Sequence, residues 1–199
     1  MSDKLKKPRQ KIVIFASGSG TNAENIIKYF RNSEEIEVAA VFSNKKFSGA
    51  LERAHNLKVQ ALHFDRKAFY DTHEVLNILK DMKPDLIVLA GFLWLIPSTF
   101  IKTFPNKIIN IHPALLPRFG GKDMYGSRVH EAVIESKEKE SGITIHYVNE
   151  KYDEGNTIFQ TSIPIEDGES AQNLASRIHK LEYKHFPEII QQTLQQQDK

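Results

Sequence analysis

Residues 11–22, KIVIFASGSGTN, already indicate the fold class. Residues 11–16 are almost all apolar and rich in β-branched side chains, which is typical of a buried strand. The serines and glycines of residues 17–20 end that strand in a tight turn. A helix is predicted next, capped by Asn22 and presenting an apolar face of Ile26, Ile27 and Phe30 up to Asn32. A buried strand, a glycine turn and an amphipathic helix together form the unit from which open α/β sheets are built.

The same alternation continues on the carboxyl side of this unit. Apolar strands are predicted at residues 38–42, 60–64, 85–91 and 107–111, with helices at 49–57 and 68–82. Two later apolar runs, 144–148 and 156–165, predict a hairpin that closes the sheet. A final helix starts near Ser170, and Pro187 is expected to kink or interrupt it. This order predicts an α/β fold with a doubly wound, mostly parallel sheet and helices on both faces.

The composition is that of one globular domain. The 199 residues include 40% hydrophobic and 26% charged side chains, with a formal net charge of +2. So small a charge argues against nucleic acid or an anionic membrane as the main partner, and no apolar run of about 20 residues predicts a membrane span. Cysteine is absent, which excludes disulfides and thiolate chemistry and suits a reducing cytoplasm. We expect a single domain over residues 1–199, flexible at 1–10 and with a fraying helical tail at 191–199.

The turn after the first strand is a candidate anion site. Glycine lets the backbone come close to a ligand, and the free amides at a helix start point toward it, so phosphate is the expected ligand. The alternative is a tight strand-to-helix turn that binds nothing. Residues 17–22 fit neither the Rossmann dinucleotide fingerprint, which needs a third glycine, nor a Walker loop.

A second candidate site follows the fifth predicted strand, where residues 110–117 read NIHPALLP. Open parallel sheets bind ligands at this carboxyl edge, and strand alternation places Asn110 and His112 on one face. An amide donor beside an imidazole can stabilise an oxyanion and transfer a proton. A structural histidine is the alternative, since the chain has eight histidines and most of them have no catalytic role.

Asp153, in the turn between the two late strands, is the carboxylate expected to pair with His112. A carboxylate beside an imidazole favours its protonated form and fixes its orientation. Aspartate is also an ordinary turn residue, so Asp153 can equally be structural. His146 can be a core residue, and His130 is expected on a helix face, because the final histidine of a HExxH metal motif is absent there. No metal site is predicted.

Four motifs in this order resemble the phosphoribosylglycinamide formyltransferase family. They are GSGTN at residues 18–22, AGFLWLIP at 90–97, NIHPALLP at 110–117 and YDEGNTI at 152–158. The resemblance covers nearly the whole chain and implies a Rossmann-like formyltransferase fold. The third motif is shared by the wider group of folate-dependent formyltransferases, so it specifies the reaction class better than the acceptor. The glycine turn narrows the choice toward a small phosphorylated acceptor.

The resemblance implies formyl transfer from 10-formyltetrahydrofolate, a co-substrate and not a permanently bound cofactor, to the amino group of 5-phosphoribosylglycinamide in de novo purine (IMP) biosynthesis. It implies a catalytic trio of Asn110, His112 and Asp153. It also implies acceptor binding by Gly20, Thr21, Asn22 and Glu182, and folate binding by Lys67, Leu93, Trp94, Leu95, Ile96 and Asn110. The expected partners are these two small molecules, and the expected protein is a cytoplasmic monomer or homodimer.

Three features depart from the family pattern. Lys67 stands where arginine is common and Trp94 where a basic residue is common, so the folate contacts are expected to differ. Residues 118–126, RFGGKDMYG, form a longer and more glycine-rich loop than the family's usual one. We expect this loop to be a mobile lid over the active site.

Two other functions remain open on the sequence. The same trio can deliver water to the formyl group, which would make the protein a formyltetrahydrofolate hydrolase. The fold and the glycine turn would also serve a non-catalytic phosphate- or folate-binding module. Dependence of deformylation on the phosphorylated acceptor separates these possibilities.

Overall fold

The computed structural model describes residues 8–197 and contains a seven-stranded sheet with helices on both faces. The strands are β1 Gln10–Phe15, β2 Ile36–Ser43, β3 Gln60–His63, β4 Leu86–Leu89, β5 Ile108–His112, β6 Glu140–Tyr147 and β7 Thr157–Pro164. The helices are α1 Thr21–Phe30, α2 Gly49–Asn56, α3 Arg66–Tyr70, α4 Glu74–Met82, α5 Ser98–Thr103, α6 Ser127–Glu135 and α7 Ala171–Gln197.

The sheet has the order β3-β2-β1-β4-β5-β6-β7. Strands β1 to β5 pair in parallel, and β6 and β7 run antiparallel at one edge. The predicted α/β fold with a mostly parallel sheet is therefore confirmed, including the closing hairpin. The chain moves outward from β1 to β3 and then returns to β4 on the other side of β1. This reversal leaves a crevice at the carboxyl ends of β1 and β4, the place where open α/β sheets bind ligands.

Two apolar layers cover the sheet, one on each face. In β1, Ile12 and Ile14 face the first layer, whereas Val13 and Phe15 face the second. Helices α1, α2, α6 and α7 cover the first layer, and α3, α4 and α5 cover the second. Because the central parallel strands are buried on both faces, they read in the sequence as continuous apolar runs.

The helix predicted at residues 68–82 is in fact two helices. Helix α3 begins earlier, because the Asp65 carboxylate accepts a 2.8 Å hydrogen bond from the Ala68 amide and caps its start. The chain then bends at His73, which adopts a left-handed conformation with φ 58° before α4. Both helices pack on the second apolar layer. Their apolar residues therefore keep one helical spacing across the break, and the sequence alone predicts a single helix.

Pro187 does not interrupt α7, so of the two predicted effects, a kink or an interruption, the interruption is not observed. A proline inside a helix lacks the N–H that would bond the carbonyl four residues earlier. Here that carbonyl, on Tyr183, accepts a 2.9 Å hydrogen bond from the side-chain amide of Asn25 on α1. Residues 191–197 of the predicted tail are helical. Residues 198–199, and residues 1–7 of the predicted flexible segment, lie outside the described residues, and Gln10 already belongs to β1.

Three further local differences separate the structure from the prediction. Asn22 does not cap α1: Gly20 occupies the N-cap position, and Asn22 lies inside the first turn. Strand β6 begins at Glu140 because Gly142 lets β7 approach, as a Cβ there would lie 2.0 Å from the Thr161 carbonyl oxygen. Helix α5 was not predicted, and α6 was expected only as a helix around His130, without bounds. Within residues 8–197, no helix is both long and apolar enough to span a membrane.

Candidate active site

A cleft of about 800 Å³ opens at the carboxyl edge of the sheet. Its floor is formed by the turn after β1, the segment after β4 and the end of β5, and α6, α7 and residues 121–126 form its walls. Both candidate sites from the sequence line this one cleft. The glycine turn and the NIHPALLP segment therefore belong to a single site.

Asn110, His112 and Asp153 come together at one end of the cleft. Asn110 and His112 lie at the end of β5, and Asp153 lies in the connection between β6 and β7. Nδ1 of His112 lies 3.5 Å from Oδ2 of Asp153, and the Asn110 amide nitrogen lies 3.3 Å from Oδ1. The predicted proximity of these three side chains is therefore observed.

His112 is almost completely buried and stands between two acceptors. Its Nε2 donates a 2.7 Å hydrogen bond to the Phe119 carbonyl oxygen, and its Nδ1 faces the Asp153 carboxylate. Burial lowers the pKa of His112, and the opposing effects of Asp153 and of the Phe119 carbonyl only reduce this shift. The imidazole is therefore neutral at neutral pH, with its proton on Nε2.

Asp153 is held by groups from three segments. Its Oδ2 accepts a 2.9 Å hydrogen bond from the Gly121 amide, and its backbone has a left-handed φ of 55°. Burial raises the pKa of Asp153, but the neighbouring His146 and His112 side chains and the Gly121 amide outweigh burial, so the net shift is downward. Asp153 is therefore a carboxylate at neutral pH.

The Asn110 amide is oriented by His146, for which the sequence allowed either a role in the site or a place in the core. Nδ1 of His146 donates to the Tyr147 carbonyl at 2.8 Å, so its Nε2 is an acceptor in the neutral ring. The amide nitrogen of Asn110 lies 3.1 Å from this Nε2 and also donates to Asp153. His146 thus fixes which end of the Asn110 amide points toward Asp153.

The glycine turn starts α1 at the other end of the cleft. Gly20 has a φ of 75°, and a Cβ on it would lie 2.3 Å from Cα of Ala50, so only glycine fits without a shift of the backbone. The first amides of α1, on Thr21 and Asn22, have no acceptor within the helix. The turn therefore presents free donors and the positive end of a helix dipole to the cleft.

Glu182 of α7 meets the glycine turn through Asn22. Its Oε2 accepts a 2.9 Å hydrogen bond from the Asn22 amide nitrogen, and Nε2 of His179 lies 3.8 Å away. Burial raises the pKa of Glu182, against the opposing effects of Asn22 and His179. Asn22 Oδ1 is buried without a hydrogen-bond partner among the described residues. All four residues predicted for the acceptor, including Gly20 and Thr21, thus line the same cleft.

Only some of the residues predicted to bind folate border a common cavity. A cavity of about 50 Å³ is bordered by Trp94, Leu95 and Ile96, and its lining shares Asn110 and Asp153 with the main cleft. Leu93 lines the main cleft. Lys67 is exposed and borders neither cavity, so the structure does not bring it to the site.

The cation beside Trp94 is Arg66 and not Lys67. The Arg66 guanidinium carbon lies 4.7 Å from the Tyr70 ring centroid and 5.7 Å from that of Trp94. Tyr70 also donates a 2.9 Å hydrogen bond to the Leu95 carbonyl, which ties α3 to the segment after β4. No signal in the sequence distinguishes the two adjacent basic residues.

The loop predicted as a lid is hydrogen-bonded to His112 and Asp153. Its Phe119 carbonyl accepts from His112, its Gly121 amide donates to Asp153, and residues 121–126 line the cleft. Movement of this loop would therefore change the hydrogen bonds of both side chains. A mobile lid stays a prediction.

Two further histidines line the cleft and were missed as site residues. His130 lies on α6 and His179 on α7. No motif marks either of them, since each is one of several polar residues in an amphipathic helix. Among residues 8–197, no group of three histidine, aspartate or glutamate side chains is arranged to hold a metal ion.

The family model for formyl transferases matches residues 10–190 of the chain. A phosphoribosylglycinamide formyltransferase of Bacillus subtilis is 34% identical over 190 residues, which cover 93% of this chain and 95% of that protein. The chloroplastic phosphoribosylglycinamide formyltransferase of Arabidopsis thaliana is 37% identical over 188 residues. The match covers 92% of this chain but 64% of the Arabidopsis protein, so the chain spans less than two thirds of that relative's length.

Solved structures agree with this similarity. The phosphoribosylglycinamide formyltransferase of Brucella melitensis superposes with a TM-score of 0.84 at 35% identity, covering 94% of this chain and 96% of that one. Glycinamide ribonucleotide transformylase 1 of Geobacillus kaustophilus gives a TM-score of 0.85 at 34% identity, covering 94% of this chain and 100% of that one. The similarity therefore extends over the sheet and the cleft together.

Proposed function

Because the chain belongs to the formyl transferase family, among its phosphoribosylglycinamide formyltransferases, we propose that it moves a formyl group from 10-formyltetrahydrofolate to the amino group of 5-phosphoribosylglycinamide in de novo purine biosynthesis. We place this activity in the cytoplasm, since a chain without cysteine needs no oxidising compartment.

One observation carries the proposal: a single cleft joins the start of α1, with its free amides, to the cluster of Asn110, Asp153 and the buried His112. The reaction needs a phosphate anchor at one end of the acceptor and proton-transfer groups at the other. A pure phosphate-binding module needs the first and has no use for the second. The joint presence of the two in one cleft therefore supports the transferase.

The acceptor lies with its phosphate on the first turn of α1. The amides of Thr21 and Asn22 bind the phosphate oxygens, assisted by the helix dipole. Glu182 reaches the uncharged part of the acceptor, because Asn22 holds the carboxylate of Glu182 beside the turn. The amino group then extends along the floor of the cleft toward His112.

The folate donor enters from the side of the small cavity bordered by Trp94, Leu95 and Ile96. Its ring system packs on these apolar side chains. Arg66, held over the Tyr70 and Trp94 rings, provides the positive charge at this side for a carboxylate of the donor. Asn110 and Asp153 border both cavities, so the formyl carbon meets the amine beside them.

The chemical step is an attack of the neutral amine on the formyl carbon. A C–N bond forms, and the carbonyl oxygen becomes an oxyanion. Asn110 and His112 stabilise it by hydrogen bonding, for which Asn110 exchanges its 3.3 Å bond to Asp153 and His112 its bond to Phe119. The bond from the formyl carbon to the folate nitrogen then breaks, and the proton lost by the amine is passed to that leaving nitrogen. Asp153 keeps the imidazole in place during this transfer.

His112 is neutral in the free protein and gains a proton only during the chemical step. In the free protein its Nε2–H is bonded to Phe119, and the opposite nitrogen faces Asp153 at 3.5 Å. A developing oxyanion raises the pKa of a nearby imidazole. The second proton is the one that the attacking amine loses, and it lies between Nδ1 and the Asp153 carboxylate while donation from Nε2 passes from Phe119 to the oxyanion. When the bond to the folate nitrogen breaks, this proton moves to that nitrogen and His112 is neutral again.

The direct test follows loss of the formyl group from 10-formyltetrahydrofolate by absorbance, with and without 5-phosphoribosylglycinamide. The expected result is deformylation only when the acceptor is present. Formate release without the acceptor would instead identify a hydrolase, and no turnover in either mixture would leave a binding module.

Two histidine variants connect this activity to the cleft. We expect His112→Asn to lower turnover about 10²-fold or more, since it removes the proton-transfer group. His73→Asn is the matched control, because His73 is exposed, borders neither cavity and has a left-handed backbone that asparagine tolerates. Equal activity of the two variants would remove His112 from the mechanism.

A further inference from the structure

Arg53 on α2 is hydrogen-bonded to the glycine turn. Its Nε donates a 3.0 Å hydrogen bond to the Ser19 carbonyl oxygen, and the Ala50 amide donates to the Gly18 carbonyl oxygen at 3.2 Å. Helix α2 therefore holds two consecutive carbonyls of the turn. Ser19 lines the main cleft and Arg53 does not, so the guanidinium reaches the turn from the side away from the cleft.

The bond from Arg53 to Ser19 sets the direction of the next backbone amide. The peptide bond between Ser19 and Gly20 is trans, and in a trans peptide the C=O and N–H groups point in opposite directions. Because Arg53 holds the carbonyl from outside the cleft, the Gly20 N–H points toward the cleft. Gly20 is left-handed and α1 follows it directly, so the N–H groups of Gly20, Thr21 and Asn22 form a concave surface that suits an anion.

Glu24 keeps the guanidinium of Arg53 in place. Its carboxylate, in the first turn of α1, forms one ion pair with Arg53 and a second, at 2.6 Å, with Lys28. The hydrogen bond from Lys28 and the charge of Arg53 outweigh burial and lower the pKa of Glu24, so it is a carboxylate at neutral pH. A carboxylate so close to the turn would repel a phosphate, and the two cations neutralise it.

We propose that Arg53 is a positioning residue which, through the Ser19 carbonyl, directs the Gly20 amide at the phosphate of the acceptor. The proposal rests on the proposed function, because it concerns the turn that holds this phosphate. Arg53 itself does not touch the acceptor. Without Arg53, the peptide between Ser19 and Gly20 can turn, and the phosphate keeps only the amides of Thr21 and Asn22. The fold depends little on Arg53, because its ion pair is partly exposed and such pairs contribute little to stability.

Arg53→Met and Arg53→Gln separate the hydrogen bond from the charge. Both side chains are as long as the arginine chain up to Nε, and only glutamine has at that place a nitrogen that can donate to Ser19. We expect Arg53→Met to raise the dissociation constant of the acceptor about tenfold and to leave that of the donor unchanged. Arg53→Gln should recover most of this loss. Calorimetric titration of each substrate alone measures the two constants.

Lys28→Met is the matched control, since it removes the other cation from the same carboxylate and Lys28 makes no bond to the turn. Its acceptor affinity should stay within about twofold of the wild-type value. Equal weakening by Lys28→Met and Arg53→Met would overturn the proposal, because loss of positive charge alone would then explain the effect. Unchanged acceptor affinity in Arg53→Met, or equal weakening by the Met and Gln variants of Arg53, would also overturn it.

Steady-state kinetics distinguish positioning of the turn from a general disturbance of the site. Arg53→Met should raise KM for the acceptor about tenfold and leave kcat within about twofold, since the chemical step takes place at the other end of the cleft. Its melting temperature should change by about 4 °C at most. A lower kcat with unchanged acceptor KM, or weaker binding of both substrates, would contradict the role of Arg53.

Wild-type turnover is measured in parallel. No acceptor-dependent deformylation by the wild-type protein would refute the proposed function itself. Normal wild-type turnover, together with wild-type acceptor affinity in Arg53→Met, would refute only the role of Arg53.

Discussion

At the scale of single residues, Asp153 lies at the centre of the cluster that it forms with Asn110, His112 and His146. One of its oxygens accepts from the Gly121 amide and faces His112, and the other accepts from Asn110 and faces His146. A side chain with two acceptor oxygens and a negative charge is needed for this arrangement. Asparagine has the same shape, tolerates the left-handed backbone, and lacks the charge.

We therefore expect Asp153→Asn to fold normally and to lower kcat by about 10²–10⁴-fold, with dissociation constants for both substrates nearly unchanged. The loss arises because no carboxylate remains to hold the second proton of His112. Steady-state kinetics and calorimetric titration of each substrate measure the two effects. Full turnover of Asp153→Asn across neutral pH would contradict this role.

His130 makes stability depend on pH. Its pKa is about 4 in the folded protein and near 6.5 in an unfolded chain. Below pH 6.5 the unfolded state binds a proton that the folded state does not, so the free energy of unfolding falls as the pH is lowered from 6.5 toward 4. The difference of the two values corresponds to a loss of about 3 kcal/mol over that window.

Urea unfolding at about pH 7 and about pH 5 measures this dependence. His112 contributes in the same direction, because its pKa is also lowered on folding. The comparison with His130→Phe isolates the part due to His130, and we expect the variant to lose about 2 kcal/mol less between the two pH values. The same pH dependence in both proteins would show that His130 does not titrate as described.

At the scale of elements, two side-chain hydrogen bonds join α1 and α7. The side chain of Asn25 on α1 satisfies the Tyr183 carbonyl that Pro187 leaves free, and Asn22 bonds Glu182 on the same pair of helices. One contact lies beside Pro187, and the other lies beside the glycine turn in the cleft. Both position α7 against α1.

Asn25→Ala should therefore lower the free energy of unfolding by about 1–3 kcal/mol, since it leaves a helix carbonyl without a donor. In a Pro187→Ala background, the backbone at this position regains an amide that can donate to the same carbonyl, and the Asn25→Ala change should then have a smaller effect. Urea unfolding of the four proteins forms a double-mutant cycle. Strictly additive effects would rule out the coupling.

The turn between β1 and α1 provides a second prediction at this scale. Gly20→Ala places a Cβ 2.3 Å from Cα of Ala50 at a φ of 75°, so the backbone of the turn must move. The left-handed conformation alone disfavours alanine by about 1–2 kcal/mol. We expect acceptor affinity to fall at least about tenfold while donor affinity is kept.

Gly18→Ala is the matched control in the same turn, because a Cβ on Gly18 meets no atom within 4 Å. Calorimetric titration of both variants separates the two effects. If Gly20→Ala and Gly18→Ala bind the acceptor alike, the turn does not hold the phosphate through its backbone.

At the scale of the whole molecule, one sheet supports both apolar layers. Each central strand sends alternate side chains into the two layers, as Ile14 and Phe15 do in β1. Neither layer can keep its packing once the strands separate. The site at the carboxyl edge uses groups from both sides of this sheet and therefore depends on the whole fold.

We expect unfolding of residues 8–197 to be one cooperative transition. Trp94, the single tryptophan of the chain, packs against the second layer, and the 27-residue helix α7 packs against the first. Tryptophan fluorescence and far-UV circular dichroism should therefore give the same urea midpoint. A fluorescence transition at lower urea would show that the second layer unfolds by itself.

Helices, strands and turns that depend only on neighbouring residues could be predicted from the sequence. Strands β1 and β4 appear as apolar runs, and the glycine turn and the succession of strands and helices follow from neighbouring residues. The family motifs also indicated the trio at residues 110, 112 and 153, and the structure brings these side chains together. Their catalytic and binding roles remain predictions, which the experiments above address.

Only the tertiary structure determined which distant segments are in contact and in which direction each side chain points. Asn25 reaches Tyr183 across 158 residues, which keeps α7 continuous where local rules predict a break. Arg66, and not its neighbour Lys67, stacks on Trp94. Adjacent residues on a helix project about 100° apart, so the packing of α3 on the sheet selects one of them. Composition and spacing contain no information about that rotation, because it is fixed by the whole apolar layer beneath the helix.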